Sequence, residues 1–324
     1  MNQPNAMDAM LSAVQAADSV LLLCHIFPDG DTLGSALALW HRLRRMGKRA
    51  RVLLDGAVPD YLDFLPGVGA VEDARAPWDD RALAVAVDVS AADRMGVFAP
   101  RFLAAALSCA LDHHATNPGF AGVNVVDGHA PATALLVHDL LARLGQPLSQ
   151  EEAVCLYTGL STDTGNFIYE STDARSFEMM ADLMRAGLPL AKYARLLFRQ
   201  KQEPFVRVLA QVLPTLRLSD DGRVALLTLS NDMLARAGAL PMHTEGVVDY
   251  AIDLKGVKAA CFAREIPDGR VKLSLRSLPP YRVDELAQSM GGGGHSLAAG
   301  VVMDGPLAEA AQTVWRALVR LVQC

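Results

Sequence analysis

The sequence has few cysteines, and their spacing does not suggest a metal or disulfide framework. Its 324 residues include five cysteines, at positions 24, 109, 155, 261 and 324, with no CxxC pair. Zinc fingers and stabilising disulfides require paired or closely spaced cysteines, so both classes are disfavoured. An odd and scattered set predicts reduced thiols in the core of a cytoplasmic protein.

The sequence also lacks the residue patterns of a signal peptide and of a membrane-spanning segment. The opening residues, MNQPNAMDAML, do not combine a basic segment with the apolar stretch that a signal peptide needs. The apolar run at 19–27 is too short to span a bilayer. We therefore expect a cytoplasmic location and no membrane partner. No internal repeat or low-complexity segment is visible.

The sequence has fewer basic than acidic residues. Lys and Arg number 30 against 36 Asp and Glu, which gives a formal charge of −6. Proteins that hold long duplex nucleic acid draw their affinity mainly from Lys and Arg on phosphates. The charge balance therefore argues against a broad nucleic-acid surface, although a short phosphorylated substrate in a local pocket remains compatible with it.

The length and composition predict two globular domains. A chain of 324 residues is long for one compact core, and 51% hydrophobic with 20% charged residues is ordinary for a globular protein. All-apolar runs of strand length, at 19–24, 81–87 and 105–111, alternate with helical patterns. Strands buried on both faces have this appearance, which predicts an α/β domain with a parallel sheet between helices.

The pattern changes from residue 215 onward. Two hairpins are predicted, one around Asp220-Asp221-Gly222 and one around Pro267-Asp268-Gly269. Strand pairs with helices on one side indicate a smaller α+β domain. We accordingly predict a first domain at 1–188, a connecting helix or linker at 189–214 and a second domain at 215–324.

Three predicted strands of the first domain end in residues that bind metals. His25 follows the first strand, Asp88 ends the second, and the motif LDHHATN at 111–117 ends the third. The carboxyl edge of an open α/β sheet faces its ligand crevice, and both residue types suit a divalent transition metal. Each motif alone also fits a polar turn or a helix cap, but a purely structural role does not explain why the motifs recur at one edge of the sheet.

The first domain offers six donors in total: His25, Asp29, Asp31, Asp88, His113 and Asp163. This is too many for one mononuclear catalytic site with open positions. Two metals that share a bridging carboxylate would use the set, and a two-metal site suits hydrolytic displacement at phosphorus. Mn²⁺ fits a mixed Asp and His set, with Mg²⁺, Co²⁺ or Zn²⁺ as substitutes.

The second domain contains an anion-binding candidate. The segment MGGGGHSLAAG, at 290–300, has four consecutive glycines, which free the backbone to approach a ligand and to point N–H groups at an anion. A flexible linker is the weaker alternative. Arg276, on a predicted strand, is a natural partner for a phosphate or carboxylate because its guanidinium is planar and always charged.

Five motifs in this order resemble those of the DHH/DHHA1 family of phosphoesterases, and among them the small NrnA-type oligoribonucleases and 3′-phosphoadenosine 5′-phosphate (pAp) phosphatases of bacteria. The resemblance covers nearly the whole chain. The motifs are HxxPDGDxxGS at 25–35, the acid of VDVS at 88, DHH at 112–114, STDTGNF at 161–167 and GGGGHxxAAG at 291–300. It implies an N-terminal DHH domain and a C-terminal DHHA1 domain.

The resemblance also implies a role for each candidate residue. One Mn²⁺ would be held by His25, Asp29 and Asp88, and the other by Asp31, Asp88, His113 and Asp163, with Asp88 as the bridge. Asp112 would orient its neighbours, and His114 would face the scissile phosphate. The remainder of the nucleotide would be held by Arg276, Gly292, Gly293, Gly294 and His295.

The expected function is two-metal hydrolysis of short oligonucleotides, such as nanoRNA and the dinucleotide pApA, to mononucleotides, with pAp and cyclic dinucleotides as further substrates. A RecJ-like single-strand exonuclease, a family II pyrophosphatase and a nucleotide sensor without turnover are the alternatives. The sequence does not rank the substrates or decide the polarity of degradation, the physiological metal or whether the chain forms a homodimer.

Overall fold

The computed structural model describes residues 3–323, apart from the side chains of residues 3–5 and of His295. The chain forms two compact units that divide between Gln200 and Lys201. Each unit has its own six-stranded sheet and its own core.

The sheet of the first unit is entirely parallel, with strand order β3-β2-β1-β4-β5-β6. The order reverses between β1 and β4, which is the position where open α/β sheets form a ligand crevice at the carboxyl ends of their strands. The strands are β1 (Ser19–Leu23), β2 (Arg49–Leu53), β3 (Val71–Glu72), β4 (Leu83–Val87), β5 (Ser108–Asp112) and β6 (Val123–Val126).

Helices cover both faces of this sheet. The helices of the first unit are α1 (Gln3–Ala16), α2 (Gly30–Arg45), α3 (Ala99–Leu103), α4 (Thr133–Arg143), α5 (Gln150–Asp163), α6 (Ala174–Arg185) and α7 (Leu190–Phe198). Val20 and Leu22 of β1 belong to the core shared with α1, α2, α4, α5 and α6, while Leu21 and Leu23 pack with Phe102 of α3 on the other face. The predicted α/β domain is confirmed.

Helices α2 and α5 pack unusually closely because glycines face the contact. A Cβ on Gly34 would lie 2.4 Å from the carbonyl oxygen of Cys155, and one on Gly159 would lie 2.6 Å from Oδ1 of Asp31. Farther along the same pair, buried Arg42 donates from Nε and Nη2 to the two carboxylate oxygens of Glu152, at 3.0 Å each. These contacts fix α2 against α5.

The second unit has a mixed sheet with order β11-β12-β10-β9-β8-β7, in which only β8 and β9 run parallel. Its strands are β7 (Arg217–Leu218), β8 (Val224–Leu229), β9 (Ala259–Glu265), β10 (Val271–Ser277), β11 (Gly293–His295) and β12 (Ala298–Met303). Its helices are α8 (Glu203–Val212), α9 (Asn231–Arg236), α10 (Asp249–Ile252), α11 (Val283–Ser289) and α12 (Leu307–Gln323). Both predicted hairpins are present.

One prediction for this unit was wrong in detail. Helices lie on both faces of the sheet, because residues 259–263 of β9 are apolar on both sides and contribute to two cores, one with α11 and α12 and one with α8 and α9. Within the glycine segment, residues 293–295 form strand β11 at the edge of the sheet.

The predicted linker at 189–214 contains two helices, α7 and α8, with Pro204 in the first turn of α8. The boundaries of the functional domains stay a prediction. Cys24, Cys109, Cys155 and Cys261 are buried free thiols, as expected, and Cys324 lies outside the described residues. Within residues 3–323, no helix combines the length and the apolar character needed to cross a membrane.

The contact between α2 and α5 gives a stability prediction. Gly34→Ala should lower the free energy of unfolding by about 1–3 kcal/mol, because the added methyl group meets a backbone oxygen that cannot turn away. Chemical denaturation would measure it. Gly69→Ala is the matched control, since nothing lies within 4 Å of its Cβ position. Equal stability of the two variants would contradict the packing argument.

Candidate metal centre

The carboxyl ends of three adjacent strands carry the first part of the site. His25 lies two residues beyond β1, Asp88 directly follows β4, and Asp112 is the last residue of β5, with His113 and His114 next in the chain. The strands β1, β4 and β5 are neighbours in the sheet. The predicted convergence of these residues at one edge is therefore present.

Helix termini carry the rest. Asp29 is the N-cap of α2, and its Oδ1 accepts from the backbone N–H groups of Asp31 and Thr32 at 3.1 Å each. Its other oxygen, Oδ2, lies 3.7 Å from Nε2 of His25. One carboxylate thus serves as both a helix cap and a ligand candidate. Asp163 is the last residue of α5.

The six donors and His114 form three overlapping groups, two of which contain Asp88. Within each group, one ligand atom per residue lies within 4.8 Å of the others; the groups are His25 with Asp29 and Asp88, Asp31 with His113 and Asp163, and Asp88 with His113 and His114. His113 Nε2 lies 3.1 Å from Oδ2 of Asp163 and 3.7 Å from Oδ1 of Asp88. The structure therefore brings all six predicted metal ligands together.

Asp88 is held rigidly at the centre. Its φ of 59° is in a region that non-glycine residues rarely adopt, and it persists only where surrounding contacts enforce it. Its backbone N–H donates to the carbonyl oxygen of Leu111 at 2.9 Å, and its Oδ1 accepts from the hydroxyl of Thr133 at 2.8 Å. The side chain is 2% exposed, so Asp88 is pre-oriented inside the protein.

Asp31 is fixed by the start of α4. Its Oδ2 accepts from the N–H of Thr133 at 2.6 Å, and its Oδ1 accepts from the N–H of Ala134 at 2.9 Å and from the Ser35 hydroxyl at 3.1 Å. Thr133 therefore contacts both Asp31 and Asp88. No sequence pattern indicated Thr133, because its role depends on where α4 begins in space.

A second missed residue supports the DHH segment. Asp112 is fully buried; its Oδ1 accepts from Nδ1 of His114 at 2.7 Å and its Oδ2 from Nδ2 of Asn117 at 2.7 Å. Asn117 also donates to the carbonyl oxygen of Val89 at 3.0 Å, next to Asp88. The motif LDHHATN contains Asn117, but only the structure shows that Asn117 hydrogen-bonds to Asp112.

The two histidines among the six donors, His25 and His113, differ in the hydrogen bonds made by Nδ1. Nδ1 of His113 lies 3.2 Å from the carbonyl oxygen of Ala130, which can only accept, so the proton of the ring sits there and Nε2 faces the acids. Nδ1 of His25 is buried, and no residue that the structure describes hydrogen-bonds to it. His113 thus has the usual outer partner of a metal-binding imidazole, whereas His25 does not.

The charges of the site are unbalanced. Burial and the nearby Asp163 raise the pKa of Asp31 to about 8, and burial together with Asp31 and Asp29 raises the pKa of Asp88 well above its ordinary value. Burial opposes the charged form of His113, but Asp163, Asp31 and Asp88 outweigh it and raise the pKa of His113 to about 10. In the metal-free protein, the site therefore favours the protonated forms of Asp31, Asp88 and His113.

A divalent cation fits this donor set. Carboxylate oxygens and imidazole nitrogens are ligands for Mn²⁺ and similar metals, and a bound cation removes the repulsion that raises the carboxyl pKa values. Asp29 differs from the other acids: burial opposes its ionisation, but the hydrogen bond and charge of His25 lower its pKa below the ordinary value.

The second unit contains the remaining candidates. Arg276, on β10, has its Nε 3.3 Å from Oδ1 of Asp249. Gly292 and Gly294 have a packing reason to be glycine, since a Cβ would lie 2.2 Å from the oxygen of Gly300 and 2.5 Å from that of Ala298, respectively. Gly293 has open space beside it. The side chain of His295 lies outside the described residues.

Comparison with known proteins agrees with this architecture. The sequence matches the model of the DHH family, N-terminal domain, over residues 19–160 and that of the DHHA1 domain over residues 224–322. It is 34% identical over 300 residues to the bifunctional oligoribonuclease and PAP phosphatase NrnA of Thermus thermophilus, covering 91% of this chain and 87% of the relative. The chain belongs to the DHH family. The resemblance noted from the motifs is confirmed.

Two further relatives of this DHH-family chain extend over most of its length. A probable bifunctional oligoribonuclease and PAP phosphatase NrnA of Streptococcus mutans is 26% identical over 297 residues, covering 91% of this chain and 93% of the relative. The crystal structure of an exopolyphosphatase-related protein from Bacteroides fragilis is 27% identical, with a TM-score of 0.92, and covers 98% of this chain and 96% of that protein. The DHH-family fold therefore extends over both units.

The raised pKa values predict proton release on metal binding. In the metal-free protein at about pH 7, Asp31 and His113 both keep a proton that a cation must displace. Affinity for Mn²⁺ should therefore rise with pH from about 6 to 8, with at least one proton released per chain. Titration calorimetry in buffers of different ionisation enthalpy measures this. A pH-independent affinity without proton release would contradict the charge account.

The contacts of Asn117 predict a positioning role. Asn117→Ala should reduce kcat/KM for phosphoester hydrolysis by about 10- to 100-fold, the usual loss when an outer hydrogen-bond partner is removed, because Asp112 loses one of its donors. Metal content, measured by elemental analysis, should remain unchanged, and Asn231→Ala in the second unit should behave as the wild type. An unchanged rate for Asn117→Ala would show that Asp112 does not need this partner.

Proposed function

We propose that the protein is a Mn²⁺-dependent phosphodiesterase that hydrolyses short oligonucleotides to mononucleotides. The observation that carries the proposal is the position of Asp88, whose Oδ2 lies 3.7 Å from Nε2 of His25 and whose Oδ1 lies 3.7 Å from Nε2 of His113. Membership of the DHH family supports phosphoester hydrolysis, and the relatives named as oligoribonuclease and PAP phosphatase align over about nine-tenths of the chain.

We assign two Mn²⁺ ions to the six donors. His25, Asp29 and Asp88 would hold one, and Asp31, Asp88, His113 and Asp163 the other. Bound metals of this kind neutralise charge on a phosphate and make an attacking water more acidic. Mg²⁺, Co²⁺ and Zn²⁺ are the substitutes to test, because the donor set suits each of them to some degree.

His114 and Asp112 are our candidates for the residues that act on the substrate phosphate. Asp112 holds Nδ1 of His114 at 2.7 Å, which fixes the orientation of the ring. Burial opposes ionisation of Asp112, but the hydrogen bond and charge of His114 outweigh burial and lower the pKa of Asp112. The Asp112 carboxylate therefore stays charged and can stabilise an imidazolium. Nε2 of His114 is the nitrogen that we assign to an oxygen of the scissile phosphate.

We assign the remainder of the nucleotide to the second unit, through Arg276, Gly292, Gly293, Gly294 and His295. The preferred substrates would be nanoRNA, short DNA or dinucleotides such as pApA, with pAp and cyclic dinucleotides as further members of the class. The net charge of −6 supports short substrates over long duplexes, because it leaves little basic surface for an extended strand. A cytoplasmic location stays a prediction.

The experiment is a rate comparison with Mn²⁺ over 5′-labelled oligoribonucleotides of increasing length, alongside pAp and cyclic di-AMP. The shortest oligonucleotides should be cleaved fastest. His114→Ala should keep its metals and lose about 10²- to 10⁴-fold in kcat, as expected for a lost proton-transfer group. His129→Ala, an exposed histidine outside the cluster, is the control.

Two outcomes would contradict the proposed function, and a third would contradict the role of His114. Binding of nucleotides without hydrolysis of any of them would indicate a sensor rather than an enzyme. Rates that increase with strand length would indicate a processive single-strand exonuclease instead. Wild-type rates in His114→Ala would remove that residue from the mechanism.

A further inference from the structure

A narrow cavity in the second unit is lined by basic side chains. It lies between strands β9 and β10 and the segment 244–248, and has a volume of about 20 Å³. Its polar lining includes Arg264 from β9, with Lys272, Ser274 and Arg276 from β10. Lys272 is paired in register with Arg264, and Ser274 and Arg276 follow on the same face of β10. Three cationic groups therefore share one face of the sheet.

Arg264 is the unusual member of this set. The residue is only 7% exposed, and its Nη1 has no hydrogen-bond partner within the described part of the chain. Burial lowers the pKa of its guanidinium, although the nearby Glu245 acts in the opposite direction. A buried charge that lacks a partner is costly, so an arginine in this position requires an explanation that the fold of the unit alone does not supply.

The acids near the cavity do not neutralise it. Glu245, with its side chain 80% exposed, lies 3.8 Å from Lys272, and Asp249, 50% exposed, lies 3.3 Å from Arg276. Water screens both ion pairs, so Lys272 and Arg276 bind these carboxylates weakly. Three cations against two acids leave one positive charge in excess, and the buried guanidinium is the group without a carboxylate within ion-pair distance among the described residues.

We propose that this cavity is a phosphate-binding site and that Arg264 determines its specificity for a phosphate group. Arginine donates parallel hydrogen bonds that match two phosphate oxygens, and a partly enclosed phosphate would give Nη1 the acceptor that it lacks. The Ser274 hydroxyl and the Lys272 ammonium are further donors on the same lining. The donors on this lining match the oxygen atoms of a phosphate group, so we infer that the site recognises the phosphate rather than the base.

The source of the phosphate rests on the proposed function. If the protein hydrolyses short oligonucleotides, the cavity takes a terminal phosphate of the substrate, and Arg264 distinguishes 5′-phosphorylated from unphosphorylated dinucleotides. Inorganic phosphate has the same chemistry and serves as the binding probe. Phosphate binding can therefore be tested separately from hydrolysis.

The binding test uses the full chain with its metals removed by EDTA, so that the acidic metal centre repels phosphate. Thermal unfolding is followed as sodium phosphate is added, with sodium chloride of equal ionic strength as the reference. The wild type should show a melting temperature that rises with phosphate concentration. Arg264→Met should lose this rise, whereas Arg270→Met, which changes an exposed arginine paired with Asp268 on the same hairpin, should keep it.

The melting temperature without phosphate separates a binding role from a structural one. Arg264→Met removes a buried unpaired charge and keeps most of the side-chain volume, so it should melt at the wild-type temperature or above. A lower melting temperature would mean that Arg264 supports the fold. A phosphate-dependent rise that persists in Arg264→Met, or that is missing in the wild type, would overturn the site.

The kinetic test identifies the source of the phosphate. With Mn²⁺ restored, Arg264→Met should reduce kcat/KM for pApA by about 10- to 100-fold, as expected for a lost hydrogen bond to a charged group, and leave kcat/KM for ApA unchanged. Equal losses on both would overturn the terminal-phosphate assignment. If the wild type hydrolyses neither compound, the proposed function fails, while the phosphate-binding result stands on its own.

Discussion

The repulsion between four carboxyl groups is the constraint on which the first unit depends. Asp29, Asp31, Asp88 and Asp163 lie with two imidazoles in one small space, and the burial of Asp31 and Asp88 prevents water from screening the charges of these two. Without a cation, protons must take its place, as the raised pKa values of Asp31 and Asp88 indicate. A protein maintains such a cluster only if other contacts stabilise it, and those contacts account for much of the local structure.

The supporting contacts come from elements that are distant in sequence. The reversal of strand order places β1 and β4 side by side, so His25 and Asp88 meet at the crevice. Glycines between α2 and α5 let the backbones approach, which brings Asp31 toward Asp163, and the first residue of α4, Thr133, hydrogen-bonds two of the acids. Each of the six donors therefore lies within a helix or no more than two residues from the end of a strand or helix.

The sequence predicted the parts of the site that depend on local patterns. His25, Asp88 and Asp112 end apolar runs of strand length, so their meeting at one edge follows from a parallel sheet. Asp163 was a candidate from the sequence, but it ends a helix rather than an apolar strand, so its meeting with the other donors depends on how α5 packs. Thr133 could not be predicted, because its contacts depend on how a helix begins relative to another helix. Arg264 reads as an ordinary strand residue, and its missing partner is visible only once the surrounding side chains are in place.

The central claim is that Asp88 joins two cations, and electron paramagnetic resonance of the Mn²⁺-saturated protein tests it most directly. Two Mn²⁺ ions bridged by one carboxylate are magnetically coupled. The account predicts two ions per chain and the spectrum of a coupled pair, which becomes that of isolated ions or is lost in Asp88→Asn. A spectrum of isolated Mn²⁺ from the wild type, with two ions bound or with one, would contradict it.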